Sequence, residues 1–180
     1  MDFLPDKYEM PESGSRYMRL EEGESKIRIV SSAIVGWEWW DDDEGGRKPK
    51  RVKTLNEVPK SVMAQQDTRN RAKHFWAFVV WDYGAKSYKI MEITQKTIMG
   101  AIRSLISNEA WGNPQGYDIL ITRRGKDLVD TEYSVMPNPK SEFKEDTKEL
   151  ANINLGALYL GEDPFSSEAV SPDEVFTGEV

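Results

Sequence analysis

Apolar residues first fall into a regular rhythm at Lys26. In KIRIVSSAIVGWEWW, one alternating face carries Ile27, Ile29, Ala33, Val35, Trp37 and Trp39, and a period of two predicts a long strand. Ser31, Ser32 and Gly36 predict a bend or bulge within it. HFWAFVVWDY (74–83) reads as a second strand, GAKS (84–87) as a tight turn and YKIMEIT (88–94) as a third strand. The period then changes. Ile98, Ile102, Leu105 and Ile106 fall at i, i+4, i+7 and i+8, which predicts a helix capped by Thr94 and ending near Asn108. YDILITR (117–123), the turn RGKD and LVDTEYSVM (128–136) supply a fourth and fifth strand, and Pro137 and Pro139 are expected to stop the sheet.

Elsewhere the rhythm lapses. Residues 1–19 are polar, with Pro5, Pro11 and Gly14, and read as an N-terminal arm. Asp41 to about Arg71 holds Gly45, Gly46, Pro49 and Pro59 and reads as a long loop with a helical turn near SVMAQQ; loops beyond ~15 residues inside a domain are usually functional or disordered. From 141 the chain is polar apart from INLGALYL (153–160). The expected organisation is an arm (1–19), a β domain (20–140), a linker or packing segment (141–160) and an acidic disordered tail (161–180). The order strand, long loop, strand, strand, helix, strand, strand is that of the OB-fold. The fold class expected is therefore mainly β: a five-stranded barrel with one helix between strands three and four. In that fold the first-to-second-strand and fourth-to-fifth-strand loops border the ligand face.

Charge sharpens this picture because it is unevenly placed. The formal net charge is -7, yet residues 141–180 hold ten acids and two lysines, so residues 1–140 sum to +1. Within those, 47–73 carry Arg47, Lys48, Lys50, Arg51, Lys53, Lys60, Arg69, Arg71 and Lys73 against Glu57 and Asp67, a local +7. A basic working surface joined to an acidic tail is the natural reading.

Catalytic chemistry finds little footing. With no cysteine, disulfides, thiolate metal sites and Cys/His dyads are excluded, and His74 is the single histidine available for a serine triad. GAKS resembles the end of a phosphate loop, but Val79 stands where the upstream glycine belongs. Asp41, Asp42, Asp43 and Glu44 lack the alternate spacing of a calcium loop and read as a solvated turn. No enzyme activity, metal or cofactor is expected. A metal-dependent nuclease using Asp41–Asp43 is the least favoured alternative. The N-terminus lacks a signal peptide's basic start and apolar run, and no apolar stretch approaches the ~18 residues of a membrane span, so a soluble, cytoplasmic protein is expected.

Binding chemistry is better supplied. The strands carry Trp37, Trp39, Trp40, Phe75, Trp76, Phe78, Trp81, Tyr83 and Tyr88, more rings than a small barrel holds. Neighbours on a strand point to opposite faces, so Trp39 and Trp40 cannot both be core. Exposed rings beside cations suit single-stranded nucleic acid, where bases stack and phosphates are neutralised. Trp37, Trp39, Trp40, Trp76, Trp81 and Tyr83 are the stacking candidates. Arg47, Lys48, Lys50, Arg51, Lys53, Arg69, Arg71 and Lys73 are the phosphate candidates, with Arg123, Arg124 and Lys126 as an opposite bank. Phe165 and Phe176, in a tail with six acids and no bases, are candidates for docking partner proteins.

The blocks GESKIRIVSS, KHFWAFVVWDY, KIMEITQKTI, WGNPQGYDILITRRG and TEYSVMPNP resemble bacteriophage single-stranded DNA-binding proteins of the OB-fold type, over roughly residues 17–140. The tail around GEDPF is similar to the acidic, phenylalanine-bearing C-termini by which replicative single-strand binders recruit polymerases, helicases and recombination factors. Here fifteen residues follow Phe165, whereas the best-known bacterial tails end in the ring. The resemblance implies a non-catalytic protein that protects single-stranded DNA in phage replication or recombination, within the host cytoplasm. An RNA- or carbohydrate-binding β module, and a phage structural or adaptor protein, are the alternatives.

Overall fold

The structure, a computed structural model, describes residues 15–165. Seven strands form one antiparallel sheet: β1 (Gly23–Ile29), β2 (Ile34–Asp43), β3 (Gly46–Val52), β4 (Lys73–Asp82), β5 (Ser87–Ile93), β6 (Tyr117–Arg124) and β7 (Glu132–Lys140). One path runs β3-β2-β4-β1-β6-β7, and β5 pairs with β4. Helices are short and few: α1 (Lys60–Met63), α2 (Lys96–Ser107) and α3 (Ala157–Leu160), with 3-10 turns at Leu55–Glu57, Pro114–Gly116 and Lys148–Asn152.

β1 and β2 are two halves of the expected first strand. Ile27 pairs with Asp82 and Ile34 with Ala77, so both halves run along β4. Across the break, Val30 N–H donates to the Val79 carbonyl (3.0 Å) and Val79 N–H donates to Ser31 Oγ (2.8 Å). A serine hydroxyl thus replaces a ladder carbonyl and keeps β4 satisfied through the bend. The break also re-aims the side chains: Ile29 is core, whereas Ala33 and Val35 are exposed, so the single apolar face read from the sequence does not persist.

Four further expectations are corrected. The sheet has seven strands and is not closed into a five-stranded barrel. Residues 41–71 are not one long loop, because β2 extends to Asp43 and β3 returns over Gly46–Val52. The last strand begins at Glu132 rather than 128 and runs through Pro137 and Pro139; β7 ends the sheet path, and an edge strand tolerates a missing N–H. Helix α2 is capped at Gln95, not Thr94. Residues 15–18 are also more than a free arm. Tyr17 forms a parallel bridge with Ile90, where Met18 N–H donates to the Ile90 carbonyl (2.8 Å) and Ile90 N–H to the Arg16 carbonyl (2.9 Å). That contact lies along β5, whose other edge is paired with β4.

The two faces of β4 carry two cores. Phe78 and Val80 join Ile27, Ile29, Met91, Ile93, Ile119 and Ile121 under Ile98, Met99 and Ile102 of α2. Phe75 and Ala77, on the opposite face, join Ile90 and Leu158 with Tyr17, Ile34, Tyr159 and Phe165 around them. Each buried aliphatic or aromatic side chain contributes roughly 1.5–3 kcal/mol. The sheet is thus covered on its second face by the chain's own C-terminal segment, which begins at a buried anchor: Arg28 Nε donates to Asp118 Oδ1 (2.7 Å) and Arg28 Nη2 to the Ser141 carbonyl (2.8 Å).

Candidate nucleic-acid interface

Gly36 to Arg51, the stretch that crowds tryptophans, acids and bases together, is one hairpin. Its register sets Asp41 opposite Lys48 and Asp42 opposite Arg47, and Gly46 takes φ +104° at the return. Opposite charges facing across two strands contribute a few tenths to ~1 kcal/mol per pair. This pairing accounts for three of the four acids, since Asp43 also lies 3.9 Å from both Lys48 and Lys50, while Glu44 sits at the return. At the hairpin's base, Gly36 lets strands approach closely, since a Cβ there would run into the Val52 carbonyl oxygen and press on Phe75.

Trp39 and Trp40 diverge as alternation demands. Trp39 is 7 % exposed, its Nε1 buried without a hydrogen-bond acceptor among the described residues, while Trp40 is 46 % exposed. Both line a groove of about 930 Å³ between the hairpin and α3, together with Lys48, Lys50, Arg51, Tyr17, Glu92 and Tyr159. The groove thus combines aromatic rings, two lysines with Asp43 beside them, and an acidic wall that includes Glu92 and Glu162. On that wall Arg51 Nη2 donates to Glu92 Oε2 (2.8 Å), and Arg51 Nε lies 3.4 Å from Glu38 Oε2. Burial, then a hydrogen bond and the charge of Glu92, push the Glu38 carboxyl up to about 8 against the pull of Arg51. Burial also raises the Tyr17 hydroxyl, opposed by Arg51.

The remaining candidates are dispersed. Trp37 packs on His74 (ring centroids 5.2 Å apart). Trp76 lines a separate, mainly apolar hollow of about 430 Å³ with Ile106 and Pro114. Trp81 packs edge-on against Tyr88 (4.8 Å) and Phe143 (6.3 Å). Tyr83 donates to Asp118 Oδ1 (2.8 Å) under Lys26; burial, with Asp118, pushes its hydroxyl up to about 12. Among the cations, Arg47 donates to Asn70 Oδ1 (2.8 Å), Arg69 pairs with Asp67 (3.5 Å) and Arg71 donates to the Gln65 carbonyl (3.3 Å). Lys53 sits over the Tyr159 ring (5.5 Å), and Lys73 is exposed opposite Glu38 in the β2–β4 register. Arg123 donates to the Leu20 carbonyl (2.9 Å), whereas Arg124 and Lys126 are exposed. Phe165 meets Tyr17 edge-on (5.8 Å) with Arg16 stacked over it (3.7 Å); Phe176 lies outside the described residues.

Sequence reading missed two ionic clusters. Arg28–Asp118 joins β1 to β6 and is buried, with Asp118 held below the ordinary carboxylate range: burial works to raise it, but hydrogen bonds from Arg28 and Tyr83 outweigh that. Glu38–Arg51–Glu92 joins β2, β3 and β5. Alternation puts Arg28 on the face opposite Ile27 and Ile29, where a cation reads as solvent-facing, so the sequence held no sign of its burial.

Among the described residues, no group of three or more His, Cys, Asp or Glu side chains could hold a metal ion, and no helix is long and apolar enough to cross a membrane. Compared with known protein families and with curated proteins, the chain matches none.

Proposed function

We propose that the protein binds single-stranded DNA, largely without regard to sequence, along the groove between the β2–β3 hairpin and α3. The observation that carries this is the exposed Trp40 indole on a groove that Lys48 and Lys50 also line. A base stacked on a ring gains roughly 1–3 kcal/mol whatever its identity, and neighbouring lysines neutralise the phosphates that flank it. The connectivity supports an open variant of the OB-fold: a bent first strand (β1 and β2), then β4, β5, α2, β6 and β7, with β3 added beside β2. The role is non-catalytic, in phage replication or recombination, with the acidic C-terminus recruiting partner proteins. A structural adaptor is the second reading, favoured by Leu128 and Val129, which stand 100 % and 94 % exposed at the β6–β7 turn.

Tryptophan fluorescence titrated with oligo-dT at several salt concentrations tests the reading. Quenching is expected, and neutralising about five phosphates gives a slope of roughly -3.5 in log affinity against log salt. A salt-independent affinity, as a sugar ligand would show, or no binding, overturns it.

A further inference from the structure

We propose that Glu92 makes this groove prefer cytosine to thymine, by accepting a hydrogen bond from the exocyclic amine of a base stacked on the groove's aromatic wall. The inference rests on the single-strand reading above and adds a chemical selectivity to it.

The groove is of mixed sign. Lys48 and Lys50 come from β3, with Asp43 3.9 Å from each, while Glu92 of β5 and Glu162 supply further carboxylates. Repulsion from Glu92 and Glu162 turns a strand's phosphates toward the lysines, whose two charges outnumber the one Asp43 beside them, and its bases toward Glu92. Tyr17 and the exposed Trp40 line the same groove, and the Trp40 ring is the surface available for those bases to stack on.

Glu92 is held for the purpose. Arg51, whose side chain is only 10 % exposed, fixes Oε2 through a 2.8 Å hydrogen bond, so Arg51 acts as a positioning residue here rather than as a phosphate ligand. A carboxylate has about four lone-pair sites, so the Arg51 bond and the Glu38 hydrogen bond together leave capacity for a ligand donor. Burial and the neighbouring Glu92 raise the Glu38 carboxyl beside it, so Glu38 adds little charge to this wall. Cytosine N4 presents the donor such an acceptor needs; thymine presents O4, another acceptor, at the equivalent atom. Stacking area is nearly equal for the two pyrimidines, so the contrast falls on this one contact. A charge-assisted hydrogen bond at a partly open wall is enough for about a tenfold preference.

The experiment uses the full chain and three oligonucleotides of equal length at neutral pH: oligo-dC, oligo-dT and oligo-(N4,N4-dimethyl-dC), followed by tryptophan quenching. The expected result is about tenfold tighter binding of oligo-dC than oligo-dT, with the dimethylated strand falling to the thymine level. Glu92→Gln, checked for folding by thermal melt, should bring dC and dT within about twofold. The dimethylated strand leaves the protein untouched and so carries the test even where that variant fails to fold. Equal affinity of the wild-type chain for dC and dT, or a preference that survives dimethylation or Glu92→Gln, overturns the inference while leaving single-strand binding intact. Failure to bind any of the three overturns both.

Discussion

Trp39 and Trp40 are adjacent in sequence and opposite in consequence. Trp40→Ala should weaken oligo-dT binding by about 1–3 kcal/mol while moving the melting temperature little, because its ring is half in water. Trp39→Ala should instead cost about 3–5 kcal/mol of folding stability, read as a urea midpoint. Glu38 gives a second single-residue outcome. Folding raises its pKa, so the folded chain keeps a proton that the unfolded chain has released. The stability this confers is full below the ordinary carboxylate range and drains away as pH climbs toward about 8. Glu38→Gln should flatten that decline, seen by comparing urea midpoints at about pH 5 and about pH 8.5.

At the scale of elements, hydrophobic alternation carried β4, β5, α2 and β6 into view, each within a residue or two of its observed ends. It could not carry β3, because GRKPKRV has almost no apolar face and pairs with β2 through charge and backbone. It misplaced β7 because Leu128 and Val129 look like a strand's first residues and stand instead at a turn, where Thr131 Oγ1 donates to the Asp127 carbonyl (2.6 Å). Of the groove, the divergence of the two tryptophans was legible in their spacing. The Glu38–Arg51–Glu92 cluster was not, since three strands bring it together and no interval in the sequence encodes their register. Gly36 tests the hairpin as an element. Gly36→Ala should push β3 away from β2 and cost about 1–3 kcal/mol, with a matching loss of oligo-dT affinity as the groove wall shifts.

Considered whole, the molecule spends its surplus of rings on two faces. Phe75, Trp81 and Tyr88 would lie bare on a chain ending at Lys140, but Phe143, Leu158, Tyr159 and Phe165 cover that side. The covering segment is therefore part of the folded unit. A chain truncated after Lys140 should bind a hydrophobic dye and aggregate, as light scattering would report.

β3 closes one end of the sheet path, and an unpaired strand edge invites another chain to add on. Arg47, Lys48, Lys50 and Arg51, with Pro49 among them, make that edge a poor template, since charge repels a second copy and proline withholds a donor. The lysines assigned to phosphates are thereby also sentries on an open border. A variant stripped of them to abolish binding would lose its solubility by the same stroke, and only a charge-reversing or single-lysine series can tell the two losses apart.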